Sequence, residues 1–99
     1  MITFIRTGSI SQGKTREALA FAHQMAKIIK EKFGTTLEIA LPIGGNPNRI
    51  AWHGRFESLA QWESLSAKLA TDADCQAAIA QNSATFLPGS IHDEFWRTL

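Results

Sequence analysis

Apolar residues recur along this chain with two periods, and the switches between them set the order of its elements. Ile2 to Thr7, with Ile2, Phe4 and Ile5, predicts a first strand. From about Lys14 to Phe33 the spacing becomes helical: Ala18, Ala22, Met25, Ile29 and Phe33 form a stripe, with Phe21 and Ala26 at its edges. Gly34 stands where a glycine just past the last turn would end that helix. Alternation returns from Thr36 to Ile43, placing Leu37, Ile39, Leu41 and Ile43 on one face and Glu38 and Ala40 on the other. Gly44-Gly45-Asn46-Pro47-Asn48 reads as the turn of a hairpin. Arg49 to Phe56 then alternates Ile50, Trp52, Gly54 and Phe56 against Arg49, Ala51, His53 and Arg55. Ser58-Leu59-Ala60-Gln61 is a capping-box start for a second helix, with Leu59, Trp62, Leu65 and Leu69 facing inward. Thr71 and Asp72 interrupt it and open a shorter third helix carrying Cys75, Ala78 and Ile79. Beyond Pro88-Gly89, Ile91 to Leu99 predicts a last strand.

The resulting order, β-α-β-β-α(α)-β, is the ferredoxin-like plan of the α+β class: a four-stranded antiparallel sheet with helices on one face. The 99 residues form one domain. A sheet wetted on its second face should alternate cleanly between apolar and polar positions. Here Ile2 and Phe4 oppose Ile5, and Ile91 and Phe95 oppose Trp96, so both faces carry large apolar groups. The expectation is that the second face is covered by another copy of the chain, making a homodimer through the sheet.

Composition narrows the function classes. Hydrophobic residues at 44% and charged residues at 19% describe a chain that folds rather than stays disordered. A net charge of +1, with both signs interspersed, leaves no basic stripe for nucleic acid. One cysteine excludes an internal disulfide framework and a cysteine metal cluster. The first apolar run is broken by Arg6, too early for a signal segment or membrane span, so a cytoplasmic setting without membrane attachment is expected. Nothing in the sequence calls for a cofactor.

Gly8-Ser9-Ile10-Ser11-Gln12-Gly13-Lys14-Thr15 fits the phosphate-loop pattern G-x-x-x-x-G-K-[ST] between a strand and a helix. A phosphate-loop enzyme also needs a parallel sheet and a strand ending in an acid for Mg²⁺, and the strand after the long helix ends in Pro42-Ile43-Gly44. Nucleotide binding at Gly8–Thr15 is therefore a remote alternative, and the segment reduces to a helix start where Gly13, Lys14 and Thr15 hold an anion weakly.

A second set is Trp52, His53, Arg55, His92 and Trp96. His53 and Arg55 share one face of their strand while Trp52 lies on the other; His92, Glu94 and Trp96 share a face of the last strand. Converging on an apolar pocket, an imidazole, a guanidinium and an indole could orient an anionic or enolic ligand. The plainer alternative makes the tryptophans core or interface and pairs Arg55 with an acid. His92-x-Glu94 lacks a third ligand at metal spacing, so no metal site is assigned. His23 flanks the first helix stripe as a surface residue, and Cys75 reads as a small buried thiol.

The stretch Arg49-Ile50-Ala51-Trp52-His53-Gly54-Arg55-Phe56-Glu57-Ser58-Leu59-Ala60-Gln61-Trp62-Glu63 resembles the strand-to-helix passage of NIPSNAP-like proteins, with Phe56-Glu57-Ser58-Leu59 at their "[YF]-[DE]-S-L" helix start. Leu69-Ala70-Thr71-Asp72-Ala73-Asp74 and Phe86-Leu87-Pro88-Gly89-Ser90 resemble the family's "L-x-x-D-P" and pre-final-strand segments, with Ala73 where proline is usual. The resemblance spans roughly residues 48 to 97. It implies a dimeric α+β barrel, in which two ferredoxin-like sheets pack face to face around a cavity. That superfamily holds cofactor-free monooxygenases, haem-degrading enzymes, lactone isomerases and many small proteins without assigned activity, so the fold alone does not name a reaction. The function expected is binding of a small, largely apolar or anionic ligand in a cavity beside the sheet. The alternative is a cofactor-independent monooxygenase or isomerase.

Overall fold

The computed structural model describes every residue from Met1 to Leu99. Strands β1 (Ile2–Ser9), β2 (Glu38–Ala40), β3 (Arg49–Phe56) and β4 (His92–Arg97) alternate with helices α1 (Thr15–Phe33), α2 (Leu59–Thr71) and α3 (Ala73–Gln81). All strand pairs are antiparallel, in the order β2-β3-β1-β4. The ferredoxin-like α+β plan read from the sequence is thus the fold of the chain.

β1 is central because both β3 and β4 pair with it, from Ile2↔Phe56 to Ser9↔Arg49 on one side and from Ile2↔Arg97 to Thr7↔His92 on the other. Its helix-facing positions are Ile2, Phe4, Arg6 and Gly8, continued by Ile10, and those of β3 are Ile50, Trp52, Gly54 and Phe56. Ala18, Ala22 and Ile29 of α1 and Leu65 of α2 are buried against this face. Fully burying a side chain the size of Ile29 or Leu65 stabilises the fold by about 1.5–3 kcal/mol, and a methyl such as those of Ala18 and Ala22 by about 0.8 kcal/mol.

The caps follow the sequence. α1 stops at Gly34, whose left-handed backbone (φ 71) lets its amide donate to the Lys30 carbonyl. Ser58 Oγ accepts from the Gln61 amide at 3.2 Å, and Gln61 Oε1 accepts from the Glu57 amide at 2.6 Å. Asp72 both ends α2 and caps α3, accepting from the Cys75 amide at 2.9 Å. Lys32 Nζ, at the end of α1, donates to Asp72 and Asp74 at 2.8 and 2.7 Å, tying the long helix to the start of α3. That cation, with the Cys75 amide, holds the Asp72 carboxyl down at about 2. Burial chiefly, and the neighbouring Asp72 next, push the Cys75 thiol up to about 11, so it packs as an inert apolar group.

Two expectations need correction. The second strand, expected to run from Thr36 to Ile43, pairs only over Glu38–Ala40, and Leu41 and Ile43 are exposed. Pro42 offers no N–H to a ladder, and an edge strand has nothing on its outer side to hold it straight. Leu59, expected inside, is exposed, whereas Ile79, also partly exposed, turns toward the space between sheet and helices. The face of the sheet without helices is mixed rather than apolar: Ile5 and Trp96 are its large apolar groups, among Thr3, Thr7, Glu38, His53, Arg55, His92 and Glu94.

A Cβ added at Gly54 would lie 2.6 Å from Leu37 Cδ2 and 3.1 Å from the Thr36 carbonyl oxygen. Gly54→Ala is expected to destabilise the fold by about 1–3 kcal/mol in urea unfolding, since one neighbour is backbone and cannot rotate away. The lowered Asp72 pKa makes a second prediction. A carboxyl depressed in the folded state below its ordinary 3.8 contributes stability above that pH and loses it as pH falls toward 2. Asp72→Asn keeps a capping side chain but loses the charge, so its unfolding midpoint should vary less than wild type between about pH 4 and pH 2.

Candidate functional site

The buried apolar side chains form two clusters instead of one. Ile10, Ala18, Ala22, Ile50 and Trp52 fill the end near the start of α1; Phe4, Ile29, Phe56 and Leu65 fill the end beneath α2. A cavity of about 350 Å³ lies between sheet and helices, and 13 of its 17 lining residues are hydrophobic, which makes it an apolar chamber with a few polar points. It sits at the small end of ligand-site volumes.

Two aromatic trios flank the cavity. Phe21, Trp52 and Phe86 meet with centroid separations of 5.7–6.3 Å, and Phe4, Trp62 and Phe95 with separations of 4.8–5.5 Å. Near-perpendicular pairs such as Phe21–Trp52 (86°) and Trp62–Phe95 (79°) place ring edges on ring faces, the arrangement the aromatic quadrupole favours. Large flat side chains locked this way resist collapsing inward.

The one charged residue on the wall is Arg6. Strand parity puts it between Phe4 and Gly8 on the helix-facing side of β1, opposite Asp93 of β4. Its Nε and Nη2 donate to the two Asp93 carboxylate oxygens at 2.7 and 2.8 Å, and its Cζ stands 5.6 Å from the Phe4 ring centroid. The fork geometry fixes the plane of the guanidinium. Nη1 has no partner within the protein. Asn82 spends its amide on the Ala78 carbonyl, while the Ser66 and Ser83 hydroxyls on the wall make no protein hydrogen bond.

The residues singled out in the sequence are separated by this geometry. Trp52 lines the cavity; His53, Arg55, His92 and Trp96 all lie on the opposite face of the sheet. His53 pairs across strands with Ile5 and Glu38, and Arg55 donates to Thr98 Oγ1 at 3.4 Å. His92 stands 3.5 Å from Glu94, which also accepts from Trp96 Nε1 at 2.9 Å, and no third metal-ligating group joins them. An imidazole, a guanidinium and an indole thus share the uncovered face of the sheet, and only Trp52 of the set points to the helices, because alternate residues of a strand point to opposite faces.

The phosphate-loop pattern is dismantled by the same sheet. Gly8 and Ser9 belong to β1, and a Cβ at Gly8 would meet Ile91 Cδ1 at 2.8 Å. The amides of Ser9, Ile10 and Ser11 donate to Ser90 Oγ and to the carbonyls of Asn48 and Thr85. Donors already satisfied by protein oxygens cannot cradle phosphate. Gly13, Lys14 and Thr15 are exposed, with Lys14 at the helix cap and no side-chain cap bond.

Arg6 was missed in the sequence, where it counted only as the charge ending an apolar run. Its signal was there: counting by twos from Ile2 and Phe4 lands on Arg6, a cation on the side that must be buried.

No protein-family model matches this sequence, and no curated protein matches it. Solved structures do match in fold. A NIPSNAP family protein from Agrobacterium tumefaciens superposes with a TM-score of 0.85 at 21% identity, over 99% of this chain and 85% of that one. An uncharacterised NIPSNAP domain protein from Burkholderia xenovorans gives 0.84 at 19% identity, over 100% and 95%. A protein of Nitrosomonas europaea provisionally described as an antibiotic biosynthesis monooxygenase gives 0.76 at 11% identity, over 100% and 99%. The resemblance to NIPSNAP-like proteins thus has its structural counterpart: over its whole length, this chain has the fold of that family.

With the amides of Ser9, Ile10, Ser11 and Lys14 engaged, millimolar Mg²⁺-ATP should leave the thermal unfolding midpoint unchanged; a rise, which binding to the folded state requires, would reinstate the nucleotide reading.

Proposed function

We propose that this chain binds a small, largely apolar ligand in the cavity between its sheet and its helices, as a homodimer joined through the uncovered sheet face. The observation that carries the binding reading is the chamber itself, set between two aromatic trios that keep it from closing. Protein interiors ordinarily leave few voids larger than a water molecule, because they pack to crystal-like density. Likeness of fold to NIPSNAP family proteins names no activity and no ligand.

The homodimer rests on Ile5 and on Trp96, which is 60% exposed in the single chain. An indole lying on a sheet beside Thr3 is a natural anchor for an isologous contact. No helix is long and apolar enough to cross a membrane.

A second reading, a cofactor-independent monooxygenase or isomerase, draws on the fold likeness to the Nitrosomonas europaea protein and on the free guanidinium edge of Arg6, which could stabilise an enolate. The cavity wall holds no His, Asp, Glu, Lys or Cys, so a base from this chain is missing there and His53 and His92 face away. Binding is the reading better supported.

Naphthalene at saturating concentration is expected to perturb the fluorescence of Trp52 and Trp62, which line the chamber, and Ser66→Trp, which takes up part of its volume, should weaken the response. An unaltered response in Ser66→Trp would place the probe elsewhere and remove the cavity reading. Light scattering at micromolar concentration should give twice the mass of one chain; a stable monomer would remove the homodimer. Oxygen uptake with a panel of polyphenols, compared with Arg6→Ala, tests the second reading, and equal rates count against it.

A further inference from the structure

Resting on the cavity reading above, we propose that the cavity selects uncharged ligands bearing a carbonyl-type oxygen over carboxylates, and that Asp93 is the positioning residue that sets this preference. Arg6 is always protonated, so a lone guanidinium on an apolar wall would favour an anion. It is not alone. Both Asp93 oxygens take its Nε and Nη2 protons at 2.7 and 2.8 Å, and Asp93 itself does not line the cavity. Arg6 therefore lines the chamber as half of a pair whose net charge is zero, with Nη1 left unpartnered by the protein.

For a ligand head beside Arg6, the guanidinium attracts a carboxylate and the Asp93 carboxylate repels the same group. Both interactions fall as the inverse of distance, so much of the attraction cancels. What remains must offset the loss of the carboxylate's hydration among Phe4, Trp52, Phe56 and Trp62, and no second cation stands on the wall to help. The charged groups on the other side of these strands, Glu38, His53, Arg55, His92 and Glu94, belong to the opposite sheet face and do not line the chamber. A ketone or amide oxygen accepts the same N–H···O bond without bringing a charge out of water. The unpartnered Ser66 and Ser83 hydroxyls can serve such a ligand as donors or acceptors.

The test uses two probes with one bicyclic body, 2-acetonaphthone and 2-naphthoate, titrated calorimetrically against the full chain at pH 7, where the acid is ionised. Wild type should bind the ketone more tightly by on the order of tenfold or more. Asp93→Asn leaves the Arg6 charge uncompensated and should lower the ketone-to-carboxylate ratio by about the same factor, while Asp93→Glu should retain the wild-type preference. A purely structural role for Asp93 would weaken both probes together and leave the ratio unmoved, which overturns the proposal. Should Asp93→Asn fail to fold, the wild-type ratio decides alone, and naphthoate binding as tightly as the ketone overturns it while leaving the cavity reading intact. Binding of neither probe by wild type overturns both.

Discussion

β1 carries the organisation of this molecule, and its inward face carries an unusual order: Ile2, Phe4, Arg6, Gly8, then Ile10. Apolar side chains at both ends of that row nucleate the two core clusters. Arg6 in the middle supplies no hydrophobic bulk there, while Gly8 beyond it is closely covered by Ile91 and Phe86. The strand thereby divides the core it supports, and the chamber lies in the division. Arg6 can occupy such a position because Asp93, next to it on β4, satisfies it bidentately and because it remains 42% exposed, so the cost of desolvating the guanidinium is only partly incurred.

The helices answer the same constraint. α3 packs against both α1 and α2, and α1 and α2 make little contact with each other over the centre of the sheet. Lys32 locks this arrangement by reaching from the last turn of α1 to the Asp72 cap between α2 and α3. The aromatic trios act similarly from within, since interlocked rings have few rotamers through which to relax. The result is a fold whose stability resides at its two ends and whose openness lies between them.

Much of this was legible in the residues. β3 has the bounds its alternation predicts, α1 ends at its glycine, and Ser58 and Asp72 cap the helices they precede. These features are local: each depends on side chains within four residues of one another. The second strand failed where a local apolar pattern met a proline at an unsupported edge. The candidate set is divided for a different reason. Trp52 and His53 are adjacent in sequence, and only the position of the helices decides which of them faces the cavity and which lies on the uncovered side of the sheet.

The sequence by itself determined the order of elements, their caps and the parity of every strand position, because periods of 2 and 3.6 residues and short-range hydrogen bonds require nothing distant. It also determined that Arg6 shares a side with Phe4. Tertiary structure alone decided that this side meets the helices, that Asp93, 87 residues away, stands beside Arg6, and that packing stops short of filling the space between. Those outcomes depend on the pairing register of β1 with β4 and on the seating of three helices over one sheet. Such relations join residues far apart in the chain, and no local pattern encodes them.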